Sequence, residues 1–193
     1  RAEPMAYLAG RKGFWTLDLA VAPDTLIPRG DTETLIETLL AHRPDRQAAL
    51  SLLDFGTGTG CLLLAALSEY PQAQGMGVDR VEGAVRLARR NAALNGLADR
   101  AVFVAGSWGA GLEGRFDVIL SNPPYIPSAD IAGLMPDVAR YEPVSALDGG
   151  ADGLDDYRRI MPEIARLLAP DGLAILEIGI GQEIAVPALA AEV

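Results

Sequence analysis

Short apolar runs of strand length alternate with longer runs of helical periodicity along most of the chain. Strands are predicted at 50–55, 75–79, 101–105, 116–121 and 172–178, and helices at 61–69, 81–95 and 154–168. The predicted strands are almost continuously apolar, which is typical of parallel strands buried on both faces. We therefore expect an α/β fold with a doubly wound, mostly parallel sheet.

The first 48 residues carry a different pattern and are predicted to form an adjunct to this sheet. Residues 16–21 alternate between apolar and polar side chains, which predicts a strand or one arm of a hairpin. A turn at 28–30 then leads into a helical pattern, with Asp31 as the predicted N-cap. We therefore divide the chain into residues 1–48, a linker, hairpin and adjunct helix, and residues 49–193, the main domain.

Composition narrows the class of protein. The 193 residues carry a formal net charge of −10 at pH 7, which disfavours a nucleic-acid binder with its usual basic stripe. The single cysteine, Cys61, rules out an internal disulfide and suits a reducing compartment. No apolar stretch approaches the ~20 residues of a membrane span, and no signal peptide is visible. We expect a cytoplasmic protein that does not associate with a membrane.

A glycine-rich turn follows the first predicted strand of the main domain. Asp54 is followed by Gly56, Gly58 and Gly60, and glycines at such a turn let the backbone approach a ligand near helix N–H groups. A dinucleotide-binding fingerprint has its third glycine where this chain has Cys61, so it fits less well. The spacing resembles the first motif of S-adenosylmethionine-dependent methyltransferases, with a tight turn that holds no ligand as the alternative.

Asp79 ends the second predicted strand, nineteen residues after Gly60. A carboxylate at that place can accept hydrogen bonds from both hydroxyls of a ribose. NAD and S-adenosylmethionine both contain an adenosine ribose, so Asp79 does not separate them. An aspartate at a strand end can also simply cap the next helix.

The tetrapeptide Asn122, Pro123, Pro124 and Tyr125 follows the predicted strand at 116–121. Ligands of open α/β sheets bind at the carboxyl ends of strands, so this tetrapeptide falls where a site is expected, although an ordinary turn is the alternative. It opens a segment, 123–153, that is rich in proline, glycine and aspartate and is predicted to be a long functional loop.

The chemistry that this tetrapeptide suits is methylation of a planar, conjugated nitrogen. Such a nitrogen is a poor nucleophile, and holding it in the right orientation contributes several kcal/mol. The side-chain oxygen of Asn122 and the carbonyl of Pro123 can accept its two N–H bonds and stabilise the charge that develops on it. Tyr125 offers an aromatic wall, and the prolines fix the loop before binding. No strong base is required, and the only histidine, His42, is predicted to lie on the surface.

The tetrapeptide alone does not choose among adenine, guanine and glutamine amide nitrogens, but further segments do. They are Glu3-Pro4, Tyr7-Leu8-Ala9-Gly10, Phe14-Trp15, Leu26-Ile27-Pro28-Arg29-Gly30-Asp31-Thr32-Glu33, Glu142-Pro143, Ala146-Leu147-Asp148-Gly149-Gly150, Asp152-Gly153-Leu154, Tyr157-Arg158, Glu177-Ile178-Gly179 and Gln182. With these segments in this order, the sequence resembles the release-factor glutamine methyltransferases, the HemK/PrmC family, with Gly30 in place of a usual proline.

The resemblance implies an S-adenosylmethionine-dependent protein-(glutamine-N5) methyltransferase with a Rossmann-like class I fold. Its substrate would be the glutamine in the Gly-Gly-Gln motif of peptide-chain release factors, and its second product S-adenosylhomocysteine. The alternatives are a methyltransferase for exocyclic amino groups of DNA or RNA bases, and a scaffold that has lost catalysis. We expect a monomer with no direct nucleic-acid contact and no metal site.

The resemblance also assigns residues. The cofactor-binding set is Asp54, Gly56, Thr57, Gly58, Thr59, Gly60, Asp79, Trp108 and Asn122, and the catalytic set is Asn122, Pro123, Pro124 and Tyr125. The glycine turn would contact the methionine part, Asp79 the ribose, and Asp54 the amino group directly or through water. Trp108 would lie beside the adenine, with ordinary core packing as its alternative. Because the family has a helical domain before this region and further strands after it, we expect this chain to be a catalytic core that lacks both.

Overall fold

A computed structural model describes residues 3–193 of the chain. Its strands are β1 (Arg11–Phe14), β2 (Leu17–Ala20), β3 (Ser51–Phe55), β4 (Gln74–Asp79), β5 (Ala101–Ala105), β6 (Phe116–Ser121) and β7 (Leu168–Leu176). Its α-helices are α1 (Met5–Ala9), α2 (Glu33–His42), α3 (Cys61–Glu69), α4 (Glu82–Leu94), α5 (Pro136–Tyr141), α6 (Asp155–Leu167) and α7 (Ala185–Ala190).

The main sheet has the strand order β5-β4-β3-β6-β7, and every pair of neighbouring strands is parallel. This confirms the predicted fold, a doubly wound parallel sheet of the Rossmann-like class. The predicted strands and helices between residues 50 and 121 all lie within one residue of their expected ends. The last predicted strand is the exception, because β7 begins at Leu168, directly after α6, rather than at 172.

Alternation along the strands divides the core between the two faces of the sheet. Leu52 of β3 belongs to an apolar cluster with α2, α3 and α4, whereas the next residue, Leu53, belongs to a cluster with α6 and α7. Successive side chains of a strand point to opposite faces, so a continuously apolar strand such as β3 must be covered twice. The predicted two-sided burial is therefore confirmed.

The front section shares the first of these clusters. Phe14 of β1, Leu19 of β2 and Ile36 of α2 are buried in it beside the residues of β3 and α3. The boundary between residues 48 and 49 stays a prediction, since one apolar cluster spans both parts. The predicted N-cap, Asp31, is wrong by one position: α2 begins after Thr32, whose hydroxyl donates to Glu177 rather than to the helix backbone.

The predicted long loop at 123–153 contains more regular structure than expected. It holds two short 3₁₀ segments, Ser128–Gly133 and Val144–Ala146, with α5 between them. A proline stands at the first position of α5 and directly before each 3₁₀ segment. Because proline fixes φ near the helical value, the residues that suggested a loop instead start short helical turns.

Asn91 of α4 ties the front section to the main domain. This side chain is fully buried, and it accepts the N–H of Ala20 at 2.8 Å and donates to the carbonyl oxygen of Ala20 at 3.0 Å. It also donates to the carbonyl oxygen of Thr59 at 2.9 Å. One amide therefore satisfies backbone groups of both β2 and the glycine-rich turn.

None of the described helices is long and apolar enough to cross a membrane.

We expect the variant Asn91→Ala to lower the free energy of unfolding by about 2–4 kcal/mol, because three buried backbone groups lose their partner. Urea denaturation measures the change. The control is Arg90→Ala, an exposed neighbour on the same helix, whose effect should stay within about 0.5 kcal/mol. Equal stability of the two variants would show that Asn91 does not join the two parts.

Candidate active site

A cavity of about 210 Å³ lies at the carboxyl ends of β3, β4 and β6. The strand order reverses between β3 and β6, and such a reversal is where open α/β sheets bind ligands. The predicted site residues that line the cavity are Asp54, Gly56, Thr57, Gly58, Thr59, Asp79, Trp108, Asn122 and Pro124. The remaining three, Gly60, Pro123 and Tyr125, lie outside its lining.

The glycine-rich turn is a left-handed stretch of backbone that packs closely against its surroundings. Gly56, Gly58 and Gly60 have φ values of +66°, +54° and +83°, a region that favours glycine. A β-carbon on Gly60 would lie 3.2–3.3 Å from side chains of α3, α4 and β5. Gly60 therefore lets the start of α3 approach the sheet, and its predicted contact with a ligand stays a prediction.

Gly77 of β4 contributes to the same turn and was not singled out by the sequence. A β-carbon there would lie 2.7 Å from Oγ1 of Thr57 and 2.6 Å from the ring of Phe103. The turn is also hydrogen-bonded to β4, because the N–H of Thr57 donates to the carbonyl oxygen of Val78 at 3.0 Å. A strand position without a side chain therefore allows the turn to lie directly on the neighbouring strand.

Asp54 is a buried carboxylate on the wall of this cavity, with 1% of its surface exposed. Its Oδ2 accepts the hydroxyl of Thr57 at 2.6 Å, whereas its Oδ1 has no hydrogen-bond partner among the described residues. Burial raises the pKa of Asp54 to about 7, and the charge of Asp79 adds to this rise against the opposing hydrogen bond from Thr57. A buried acceptor without a partner is costly, and a cationic ligand in the cavity would satisfy it.

Asp79 joins the turn to the start of α4. Its Oδ2 accepts the N–H of Gly58 at 2.9 Å, and its Oδ1 accepts the N–H of Val81 at 2.9 Å. The helix-cap alternative and the ligand-binding prediction are therefore compatible, because the carboxylate contacts the helix start and also lines the cavity. The N–H bonds fix its position beside the glycine-rich turn.

Trp108 lies on the cavity wall and also packs against the core. Its ring meets that of Phe55 edge to face, with centroids 6.3 Å apart and planes at 88°. Its φ of +51° is uncommon for a large side chain. The two alternatives for this residue are therefore combined, since a single ring both covers the core and faces the cavity.

The tetrapeptide after β6 is fixed by two residues from distant parts of the chain. The Nδ2 of Asn122 donates to Oγ1 of Thr32 at 3.2 Å, and Thr32 donates to Oε2 of Glu177 at 2.6 Å. The hydroxyl of Tyr125 donates to the other carboxylate oxygen of Glu177 at 3.1 Å. Burial, with the negative charge of Glu177, raises the pKa of Tyr125 to about 12, so this hydroxyl keeps its proton and remains a donor.

The segment behind the tetrapeptide explains several glycines and the glutamine of the resemblance. Gln182 donates from Nε2 to the carbonyl oxygens of Tyr125 and Gly153, each at 3.1 Å. A β-carbon on Gly149 would lie 2.8 Å from the carbonyl oxygen of Pro124, and one on Gly153 would lie 2.4 Å from that of Tyr125. The tetrapeptide backbone is therefore enclosed by residues 149–153, with no room for a side chain at either glycine.

An ion pair between a buried carboxylate and a half-exposed arginine holds the front section at the cavity. The side chain of Glu142 is 1% exposed and pairs with Arg29, which lines the cavity. Glu142 also accepts the N–H of Ile27 at 3.1 Å. Removing Arg29 would leave the buried carboxylate of Glu142 without its partner charge, and removing Glu142 would leave the N–H of Ile27 without its acceptor.

Sequence reasoning missed part of the cavity wall. The lining residues to which it gave no role are Asp24, Thr25, Leu26, Pro28, Arg29, Thr32, Cys61, Leu62, Val78, Arg80, Val81, Gly106, Ser107, Ser145, Ala146, Asp156 and Arg159. Several of these belong to segments that carried the family resemblance, which was the available signal.

Burial raises the pKa of Cys61 to about 12, so its thiol stays protonated. Residues 3–193 contain no cluster of metal-ligating side chains.

The fold and the family of this chain agree with known methyltransferases. Residues 30–134, more than half of the chain, match the family model of the methyltransferase small domain. A solved methyltransferase from Pyrococcus furiosus is similar in fold, with a TM-score of 0.64 and 20% identity, over 97% of this chain and 85% of that one. The class of protein is therefore a class I methyltransferase, a fold that implies S-adenosylmethionine as cofactor.

Two curated relatives narrow the family. A release factor glutamine methyltransferase of Rhodospirillum rubrum is 54% identical over 93% of this chain and 55% of its own length. One of Xylella fastidiosa (strain Temecula1) is 46% identical over 98% of this chain and 68% of its own length. The chain belongs to the methyltransferase small-domain family and, within it, to the release factor glutamine methyltransferases. It spans between about half and two thirds of the length of these relatives.

The raised pKa of Asp54 predicts a particular dependence of stability on pH. Because the folded-state value of about 7 exceeds the ordinary 3.8, the folded protein retains a proton that the unfolded chain releases, and stability falls as pH rises between these values. We expect Asp54→Asn to remove this loss, so that the variant gains about 2 kcal/mol on the wild type between pH 5 and pH 8.

Urea denaturation at both pH values measures this difference. Asp99→Asn, at an exposed position, is the matched control and should follow the wild type at each pH. An Asp54→Asn variant whose stability changes with pH in parallel with the wild type would contradict the buried, partly protonated carboxylate.

Proposed function

We propose that this protein transfers a methyl group from S-adenosylmethionine to the side-chain amide nitrogen of the glutamine in the Gly-Gly-Gln motif of peptide-chain release factors. The observation that carries this proposal is the position of Asn122 on a cavity at the switch point of the sheet, with its Nδ2 already bonded to Thr32. Relatives with 43–54% identity that are named release factor glutamine methyltransferases support the choice of substrate.

The residues of the cavity suit the proposed cofactor. Asp54 carries a buried Oδ1 without a partner among the described residues, which suits a cationic group of the ligand. Asp79 stands beside the glycine-rich turn to accept ribose hydroxyls, and Trp108 offers an aromatic face for the adenine. Gly56 and Gly58 leave the backbone of the turn open to the cavity. When bound, S-adenosylmethionine supplies a methyl group on a positively charged sulfur.

The work of the protein is to hold the acceptor nitrogen. The Oδ1 of Asn122 and the carbonyl oxygen of Pro123 each accept a hydrogen bond from the NH₂ group of the substrate glutamine. These two bonds orient the lone pair of the glutamine nitrogen toward the cofactor side of the cavity. The same acceptors stabilise positive charge as it develops on the nitrogen, so their effect is greatest in the transition state. Tyr125 packs beside the planar amide as part of a loop held by Glu177 and Gln182.

Proton removal in this proposal needs no side-chain base. His42, the only histidine, lies exposed at the end of α2 and is not among the residues that line the cavity. The surplus proton can leave to water after the nitrogen has reacted. We further propose that the protein acts as a monomer in the cytoplasm, with a release factor as its partner and without direct contact to nucleic acid.

Parallel incubation with labelled S-adenosylmethionine tests the substrate. We expect label in a release factor at its Gly-Gly-Gln glutamine, identified by mass spectrometry of that peptide, and none in DNA or RNA. Label in nucleic acid alone would overturn the proposal in favour of an exocyclic base amine. Asn122→Ala should lower the rate at least about 100-fold. Asn95→Ala should keep it, because Asn95 is the C-cap residue after α4, is not among the residues that line the cavity, and has a side chain that donates to the carbonyl oxygens of Asp18 and Asn91.

Affinity for the cofactor should depend on the charge of Asp54. Its pKa of about 7 predicts that S-adenosylmethionine binds up to about tenfold more tightly at pH 8 than at pH 6, because the ligand cation favours the ionised carboxylate. Titration calorimetry at pH 6, 7 and 8 measures this. Asp54→Asn should weaken binding at pH 8 and reduce the change of affinity with pH. The change that remains in the variant measures the titration of the ligand's own amino group, and it is subtracted from the change in the wild type. The same change of affinity with pH in the wild type and in Asp54→Asn would show that Asp54 does not contact the cofactor.

A further inference from the structure

We propose that Thr32 and Glu177 are positioning residues that determine which end of the Asn122 side-chain amide faces the acceptor nitrogen. The inference rests on the proposed function, since it explains how the accepting oxygen of Asn122 is presented. The three side chains form one hydrogen-bonded series, from Nδ2 of Asn122 to Oγ1 of Thr32 and from there to Oε2 of Glu177, although they lie up to 145 residues apart in the chain.

The protons of this series allow only one arrangement. A threonine hydroxyl has a single proton to donate, and the distance of 2.6 Å between Thr32 Oγ1 and Glu177 Oε2 is that of a charge-assisted bond to a carboxylate. Glu177 therefore takes the proton of Thr32, whose oxygen is left to accept. The group of Asn122 that meets Thr32 at 3.2 Å must then be its NH₂, and its Oδ1 remains to accept from a ligand.

The orientation matters because the two ends of a primary amide have nearly the same size and opposite hydrogen-bonding character. If the amide turned over, its NH₂ would face the N–H bonds of the acceptor, and the pair would be donor against donor. Packing alone does not distinguish the two orientations of Asn122. The hydroxyl of Thr32, held as an acceptor, does distinguish them.

Thr32 and Glu177 are both held in place by further contacts. Thr32 is 2% exposed and directly precedes the first turn of α2. The backbone N–H of Glu177 donates to the carbonyl oxygen of Ser121 at 3.0 Å, and its own carbonyl oxygen accepts the hydroxyl of Tyr157 at 2.8 Å. The second oxygen of the Glu177 carboxylate holds Tyr125 at 3.1 Å. A single carboxylate therefore connects to both ends of the tetrapeptide.

Separate variants can remove the hydrogen bond between Asn122 and Thr32 or reverse its direction. Thr32→Val removes the hydroxyl at similar volume, and Thr32→Ser retains it. Glu177→Gln offers an NH₂ to Thr32, whose proton can then turn toward Asn122 and favour the inverted amide. Thr38→Val is the matched control. Thr38 lies in α2, the helix that Thr32 precedes, and its hydroxyl donates only to the backbone carbonyl oxygen of Thr34. Glu37→Gln, exposed on α2, is the control for the charge.

The kinetic test uses a release factor at saturating S-adenosylmethionine. We expect kcat to fall about 10- to 100-fold in Thr32→Val and in Glu177→Gln, with the Kd of S-adenosylmethionine within about twofold of the wild type. Thr32→Ser should recover kcat to within about threefold, and the double variant should be no worse than the poorer single variant because the residues act in series. Thr38→Val and Glu37→Gln should keep the wild-type kcat. A Thr32→Ser variant as slow as Thr32→Val would overturn the proposal, because the hydroxyl would then not be the group that sets the rate.

A second measurement is independent of activity. The side-chain NH₂ signal of Asn122 in the ¹⁵N NMR spectrum, identified by its loss in Asn122→Ala, should move in Thr32→Val and Glu177→Gln and remain in place in Thr38→Val. A signal unchanged by Thr32→Val would overturn the series even if the enzyme methylates release factors. If instead the wild type methylates only nucleic acid, the proposed function fails, and the same kinetic comparison on that amine still tests Thr32 and Glu177.

Discussion

The site depends on one steric constraint, which is that the backbone between β3 and α3 must lie directly on β4. Left-handed glycines bend the turn, and the absence of a side chain at Gly77 gives it room. The contact brings the N–H of Gly58 to the carboxylate of Asp79 and buries Asp54 beneath the turn. A side chain at position 77 would push the turn outward and expose Asp54, whose burial is the main cause of its raised pKa. The pKa of Asp54 and the shape of the cavity therefore both depend on this contact.

A second set of contacts controls the other half of the cavity. The tetrapeptide after β6 has its backbone enclosed by Gly149 and Gly153 and bonded by Gln182, while Glu177 binds its tyrosine and, through Thr32, its asparagine. The two halves differ in how they are built. The half that we propose binds the cofactor is formed by residues close together in sequence. The half that we propose holds the acceptor, the acceptor half, is assembled from the front section, the segment after β6 and the end of β7.

This difference explains how far the sequence could predict the molecule. The strands and helices between residues 50 and 121 were predictable because their apolar runs match buried parallel strands. Asp54, Asp79 and Asn122 were predictable because each lies at or next to the carboxyl end of such a strand. Thr32 and Glu177 were not, since neither residue type indicates a site until the fold brings them together. The abundance of proline, glycine and aspartate in residues 123–153 predicts a loop, although three of the prolines begin helical turns. The packing of Gly60 against α3, α4 and β5 was not predictable either, because it depends on side chains from three separate elements.

The order of the strands also has a consequence for biosynthesis. β3, β4 and β5 are neighbours in both chain and sheet, so the turn that holds Asp54 and Asp79 can form as soon as these segments leave the ribosome. The acceptor half has to wait, because Glu177 comes after β7, the last strand to join the described sheet. In a nascent chain the glycine-rich turn thus precedes the contacts that fix the orientation of Asn122. A chain cut between residues 122 and 177 would contain Asn122 but not the carboxylate to which Thr32 donates.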